Sequence, residues 1–321
     1  MGKAGLGRAR ARARAQERRQ SRLNEVARLR QVPYTQQQRW WCSETTAVVT
    51  GSNRGIGFEI VRQLSKHGLR VILTSRDVSK GQEAMTSLQR EGFNVDFHQL
   101  DISDHDSITR FSEWIVQKYD GLDVLINNAG VNFNLGSDNS MEFAEEVIRT
   151  NYLGTKLMIE AMVPRMKPSP FGARIVNVSS RLGRLNGRRN RLGDAALRQQ
   201  LSDDATLSEE LINCTVSKFL EQVKQGSWVS GGWPQNFTDY SVSKLAVNAY
   251  TRLLAKRLLT RSDVQKVYIN CYCPGWVKTA MTGWQGNNTL EEGADTGVWL
   301  ALMSCPLPSG KFFAERREIS F

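Results

Sequence analysis

Histidine and cysteine are scarce in this chain, and the few present do not group. His67, His98 and His105 are the only three histidines and show no metal-ligand spacing, so no metal is assigned. Cys42, Cys214, Cys271, Cys273 and Cys305 are odd in number and contain no C-x-x-C pair. That argues against a disulfide framework and for a reducing, cytoplasmic setting. Long apolar runs are missing too. No stretch approaches the roughly 18 residues of a membrane-spanning helix or carries a secretory h-region. Met1-Gly-Lys-Ala-Gly-Leu6 lacks the Ser or Thr of a myristoylation signal.

Acidic residues are rare at one end only. Residues 1–39 hold ten Arg and Lys3 against Glu17 and Glu25, a net +9 of the chain's +11, which leaves +2 for the rest. The body is therefore nearly neutral, and the basicity belongs to residues 1–44, read as a flexible extension. Arg8-Ala-Arg-Ala-Arg-Ala-Arg14 lacks aromatic and β-branched residues and cannot bury enough surface to fold alone. Leu23, Val26, Ala27 and Leu29 could form one amphipathic helix. A solvated, partly disordered segment is the first reading. Organellar import and a polybasic contact with RNA or an anionic membrane stay open, although Ser21 is the only serine near enough to suit a transit peptide. The partner of the tail is unknown.

From Thr45 onward, short apolar strands alternate with amphipathic helices: Ala47–Thr50, Arg70–Thr74, Val95–Leu100, Val124–Asn127, Arg174–Val178 and Val267–Tyr272 are the strands. Helices are expected after the first strand, over Lys80–Glu91 and Ile108–Tyr119, as one piece over Met141–Met166, and over Tyr240–Leu259. This alternation predicts an α/β fold with a parallel sheet covered on both faces. The stretch 181–239 interrupts it as a helical insertion within one domain, 45–321. Thr206-Leu-Ser-Glu209 has capping-box spacing, and Leu207, Leu211, Val216, Phe219, Leu220 and Val223 give one apolar stripe ended by Gly226. Trp228 and Trp233 follow.

Thr50-Gly51-Ser-Asn53-Arg54-Gly55-Ile56-Gly57 joins the first strand to its helix. Glycines there let the backbone approach a pyrophosphate, and the helix N-terminus offers it free N–H groups. The spacing departs from G-x-G-x-x-G, so an ordinary Gly-rich turn is the competing reading. At the end of the second strand Ser75 stands where an acid would grip a ribose 2′-hydroxyl, and Arg76 follows, suited to a 2′-phosphate. NADPH is expected over NAD, which Asp77 leaves open. Asn127-Asn128-Ala129-Gly130 closes the fourth strand with residues small enough for close approach. Tyr240 and Lys244, four residues apart, project from one face of a helix. A cation beside a phenol of pKa near ~10 would favour the phenolate and suit it to proton transfer.

With these motifs in order, together with Asn151, Ser180 and Pro274-Gly-Trp-Val-Lys-Thr279, the chain from about residue 45 resembles a short-chain dehydrogenase/reductase. The resemblance implies a Rossmann-type doubly wound sheet and a catalytic tetrad of Asn151, Ser180, Tyr240 and Lys244. It implies cofactor contacts at Gly51, Asn53, Arg54, Gly55, Ile56, Gly57, Arg76, Asp101, Ile102, Asn128, Ala129, Gly130, Tyr240, Lys244, Pro274, Gly275, Val277 and Thr279. The 60-residue gap between Ser180 and Tyr240 is longer than in many members. It is similar to the carbonyl reductase branch, including plant menthone/neomenthol and salutaridine reductase-like enzymes, in which the extra helix implies a monomer. The implied chemistry is reduction of a small hydrophobic ketone or aldehyde. Tyr240 gives a proton to the developing alkoxide, Ser180 hydrogen-bonds the same oxygen, Lys244 lowers the phenol pKa, and Asn151 positions a water. Selectivity is expected in 181–239 and around Met281 and Trp284. The rival reading is a cofactor-binding or RNA-associated regulatory protein on a reductase scaffold.

Overall fold

The apolar runs that alternate with helices assemble one eight-stranded sheet in the order β3-β2-β1-β4-β5-β6-β7-β8. In this computed structural model residues 3–133, 140–187, 190–262 and 265–321 are described; Arg188 and Arg189 of the basic stretch after Ser180 lie outside them. The strands are β1 (Thr46–Val49), β2 (Arg70–Ser75), β3 (Val95–Gln99), β4 (Val124–Asn127), β5 (Ala173–Val178), β6 (Val267–Tyr272), β7 (Phe312–Ala314) and β8 (Arg317–Ile319). All neighbours pair in parallel except β7 and β8. Residues of β1 and β4 are buried throughout, as a strand covered on both faces must be. The order reverses at β1, with β2 to one side and β4 to the other. Their carboxyl ends therefore open a crevice at the switch point of a doubly wound fold.

Helices cover both faces. On one side, α2 (Gly55–Lys66) and α3 (Val78–Arg90) pack with a late helix on residues such as Val49, Leu73 and Ile126. On the other, α4 (His105–Tyr119), α5 (Met141–Ile148) and α6 (Thr155–Met162) bury Phe111, Ile148 and Met162. The expected single helix over 141–166 is broken between α5 and α6 by a π-helical turn, Arg149–Gly154. Its apolar period runs on regardless, which is why the break does not show in the sequence. The insertion carries α7 (Ala195–Ser202) and α8 (Glu209–Lys224), followed by α9 (Thr238–Leu259) and α10 (Leu290–Leu302), the late helix beside α2. The cap of α8 is not the expected Thr206: Ser208 accepts from Leu211 N at 3.1 Å, while Thr206 Oγ1 donates to Gln200 O at 2.7 Å. Ile212, Val216, Phe219 and Val223 of α8 are buried in the same core as α9, and Trp233 seals it edge-on to Phe219.

The basic segment differs most from expectation. Residues Lys3–Gln31 form one helix, α1, in place of a largely unfolded tail. Alanine and arginine both favour helix, and that propensity outweighs the shortage of core residues. Its last turns dock on the body: Val26 is 2% exposed, Arg30 pairs with Asp295 at 2.7 Å, and Arg22 donates to Glu315 O at 3.0 Å.

Candidate active site

The turn after β1 and the turn after β4 meet at the switch point and lock together. Thr50 Oγ1 accepts from Asn128 N and Ala129 N, both at 3.0 Å, and Asn128 Nδ2 donates to Thr50 O and Gly51 O at 2.9 Å. Gly51 has φ +59°, and a Cβ there would lie 2.8 Å from Ala129 Cα, so no other residue fits without displacement. Gly57 sits against Gly51 O and Asn128, closing helix onto turn. Arg54 precedes α2 and its side chain does not cap it, which leaves the first N–H groups of α2 available to an anion. Asn53, Ile56 and Thr279 stand around this opening, Thr279 nearest to Gly55.

Asp77 caps α3, accepting from Lys80 N at 3.0 Å, and Ser75 Oγ accepts from Asp77 N at 3.2 Å. The Asp77 carboxylate is thus occupied, and the backbone N–H and side chain of Lys80 hold it below its usual range. Arg76 is exposed at the end of β2 and pairs with no carboxylate among the described residues. Asp101 and Ile102, after β3, lie farther along the sheet: Asp101 Oδ1 accepts from Ser103 N and Oγ, and Ile102 packs on Gly154.

A cleft beside the crevice is lined by Ile56, Asn128, Gly130, Ser180, Tyr240 and Lys244, and by Pro274–Val277, Thr279, Met281 and Thr282. Tyr240 opens the second residue pair of α9 and lies on the same face as Lys244, whose Nζ is 5.6 Å from the centre of the phenol ring. Lys244 is buried and donates to Val178 O at 2.8 Å. Ser180 follows β5, and its Oγ accepts from Leu182 N at 3.1 Å, opening a short 3-10 turn, Arg181–Gly183. Gly183 abuts the backbone of Lys244 so closely that a Cβ would collide with it. This contact fixes the end of β5 against α9, and with it Ser180 against Tyr240.

Asn151 lies on the π-helical turn, which aims it inward. Its Oδ1 accepts from Val131 N at 2.8 Å, and its Nδ2 donates to Val131 O and Ser243 Oγ at 3.0 Å. Most of its hydrogen-bonding capacity ties the loop after β4 to α9. Ser243, between the two residues singled out on that helix, was missed by the sequence reading; it bridges Asn151 and the Tyr240 carbonyl. Phe237 was also missed. It lines the cleft with φ +50°, a left-handed conformation unusual for an aromatic.

Burial raises the Tyr240 phenol well above its ordinary pKa; the Cys273 thiol adds to this and the hydrogen bond with Ser180 opposes it. Here burial outweighs any lowering by Lys244, whose Nζ is directed to the Val178 carbonyl. Burial pushes Lys244 itself down to about 8. Pro274, Gly275 and Val277 form the far wall; Gly275 has φ +85° against Asn288. Trp276 and Met281 reach the cleft, whereas Trp284 is 66% exposed and Trp233 is core.

A cofactor crevice at a doubly wound switch point, next to a serine, a tyrosine and a lysine on adjoining elements, defines a dinucleotide-dependent oxidoreductase scaffold. The chain belongs to the short chain dehydrogenase family, whose profile matches residues 45–191. It is 38% identical to carbonyl reductase [NADPH] 1 of Mus musculus, over 86% of this chain and 98% of that one. It is 40% identical to (+)-neomenthol dehydrogenase of Arabidopsis thaliana, over 86% and 97%. Among solved structures, salutaridine reductase from Papaver somniferum superposes with a TM-score of 0.75 at 37% identity, covering 84% of this chain and 99% of that one. No helix among the described residues is long and apolar enough to cross a membrane, and none of their His, Cys, Asp and Glu side chains group as metal ligands.

Proposed function

We propose that the protein is an NADPH-dependent carbonyl reductase that converts a hydrophobic ketone or aldehyde to the alcohol. The observation that carries this is the group of Tyr240, Ser180 and the buried Lys244 lining one cleft, with Arg76 at the end of β2 paired with no carboxylate among the described residues. The relatives named for carbonyl reductase and neomenthol dehydrogenase support it.

The residues fit a nicotinamide dinucleotide phosphate. Gly51 and Gly57 leave backbone room, the uncapped start of α2 faces it, and Asp77 is committed elsewhere. Gly51, Asn53, Arg54, Gly55, Ile56 and Gly57 would hold its phosphates. Arg76 would take the 2′-phosphate, Asp101 and Ile102 the adenine side, and Asn128, Ala129 and Gly130 the ribose. Pro274, Gly275, Val277 and Thr279 would hold the nicotinamide amide side. The bound cofactor supplies the hydride. Tyr240 donates its proton to the substrate oxygen, a transfer that the cation of Lys244 on the same helix face favours by stabilising the phenolate left behind. Ser180 stabilises the same oxygen as it becomes negative. Lys244 holds positive charge beneath the phenol, and Asn151 fixes the loop beside it and positions a water for proton return.

The core-facing stripe of α8 packs on the chain's own α9, so the protein is proposed to be a monomer. A cytoplasmic location fits five free thiols. Residues 1–44 are proposed as an extension outside the reductase domain 45–321. Carbonyl-dependent NADPH oxidation by the purified protein, with and without residues 1–39, tests the activity. Absence of turnover over a panel of hydrophobic carbonyls, together with intact folding, would refute it. Light scattering tests the monomer: deletion of 200–226 should promote association, and a dimer in the intact protein would count against it.

A further inference from the structure

Five arginines from three separate parts of the fold face one open cleft of about 540 Å³. Arg14, Arg18 and Arg19 come from α1, Arg181 from the turn after Ser180, and Arg317 from β8. The cleft shares no lining residue with the reaction cleft. One carboxylate faces the five cations: Glu315, with its side chain 13% exposed, lies 3.4 Å from Arg19 Nε and 3.8 Å from the Arg181 guanidinium. Arg14, Arg18 and Arg317 pair with no carboxylate among the described residues.

A free arginine-rich helix would turn its charges toward water and away from other cations. Here α1 is held outside the cleft by the buried Val26 and the Arg30–Asp295 pair, and at its edge by the Arg22 bond to Glu315 O. Docking therefore sets five like charges around the single carboxylate of Glu315, and a further anion between them would relieve the remaining repulsion. Guanidinium planes present forked donors that match phosphate oxygens. A single phosphate would meet few of them. Walls on both sides, α1 and β8, suit a compact polyanion better than a flat membrane. The volume lies within the roughly 300–1,000 Å³ of small-molecule sites. We infer that this cleft binds an oligophosphate, a short run of linked phosphate groups, with one molecule per chain. Arg181 adjoins Ser180, so the occupant would sit one residue from the reaction cleft.

Calorimetric titration of inorganic triphosphate into the full chain, with and without NADPH, reads this directly and keeps the result independent of the cofactor assignment. One triphosphate per chain is expected in both. The double variant Arg181→Gln/Arg317→Gln should weaken it by about tenfold or more, since charge-assisted bonds are lost. Glu315→Gln, which removes the competing carboxylate while sparing the main-chain bond from Arg22, should tighten it. No binding at millimolar triphosphate, several molecules per chain, or an affinity untouched in the double variant would overturn the inference. So would a short RNA that displaces triphosphate equally from both proteins, because α1 alone would then be the ligand-binding element. Circular dichroism checks that each variant keeps its fold.

Discussion

The two walls of the crevice are built by different means. On the proposed cofactor side, backbone and short polar side chains close on each other: Thr50, Gly51, Asn128 and Ala129 form a half-buried lattice of hydrogen bonds with no room for a methyl group at Gly51. On the substrate side, large side chains project from loops into solvent, with Trp276 45% and Met281 39% exposed. A wall made of main chain tolerates little change and binds one shape. A wall of side chains on loops can be altered without disturbing the fold. One fold thus combines a fixed cofactor geometry with an adjustable substrate pocket.

Breaking the shared centre should have the largest effect. Tyr240→Phe keeps the ring but removes the transferable proton, so reduction should fall by about 10²–10⁴-fold with NADPH binding retained. Wild-type turnover, measured by NADPH oxidation, would remove Tyr240 from its role. Next comes the rigid wall. Gly51→Ala must adopt a left-handed conformation and meet Ala129, which should cost about 1–3 kcal/mol in unfolding free energy and abolish cofactor fluorescence enhancement. Unchanged binding and melting would show that the turn can yield.

Arg76→Ala should weaken NADPH by about 1.5–3 kcal/mol and leave NADH alone. Equal loss of both cofactors would make Arg76 structural. The pH profile sharpens the view of Lys244. With its pKa lowered to about 8, reduction should decline as pH rises through that value, and Lys244→Arg should remove the break. Between about 8 and the ordinary 10.5 the unfolded chain binds the extra proton, so stability should rise with pH in that window. On the flexible wall, Met281→Ala should shift the order of preferred carbonyls with little change in NADPH affinity. Trp284→Ala should leave both unchanged, since its ring stands in solvent.

The rigid wall was legible because its constraints are local: a strand, glycines at fixed steps and a helix follow one another in sequence. Tyr240 and Lys244 were legible for the same reason, being one helical turn apart. Asn151 was identified only through resemblance, and its π-helical turn left no mark because the apolar period of 141–166 continues through it. Ser243 and Phe237 act through contacts with distant segments, Asn151 and the cleft, which no local pattern encodes. β7 and β8 are three residues each, too short to display alternation. The helical state of residues 3–31 follows from alanine and arginine, yet its docking depends on Asp295 and Glu315, far away in the chain.

That docking has a consequence in time. Arg22 and Glu315 are 293 positions apart, so α1 leaves the ribosome long before its seat exists. The most cationic piece of the molecule is therefore made well before it can be placed. Its dense positive charge, which an apolar core would reject, favours water over the sheet until the β7–β8 hairpin has been made.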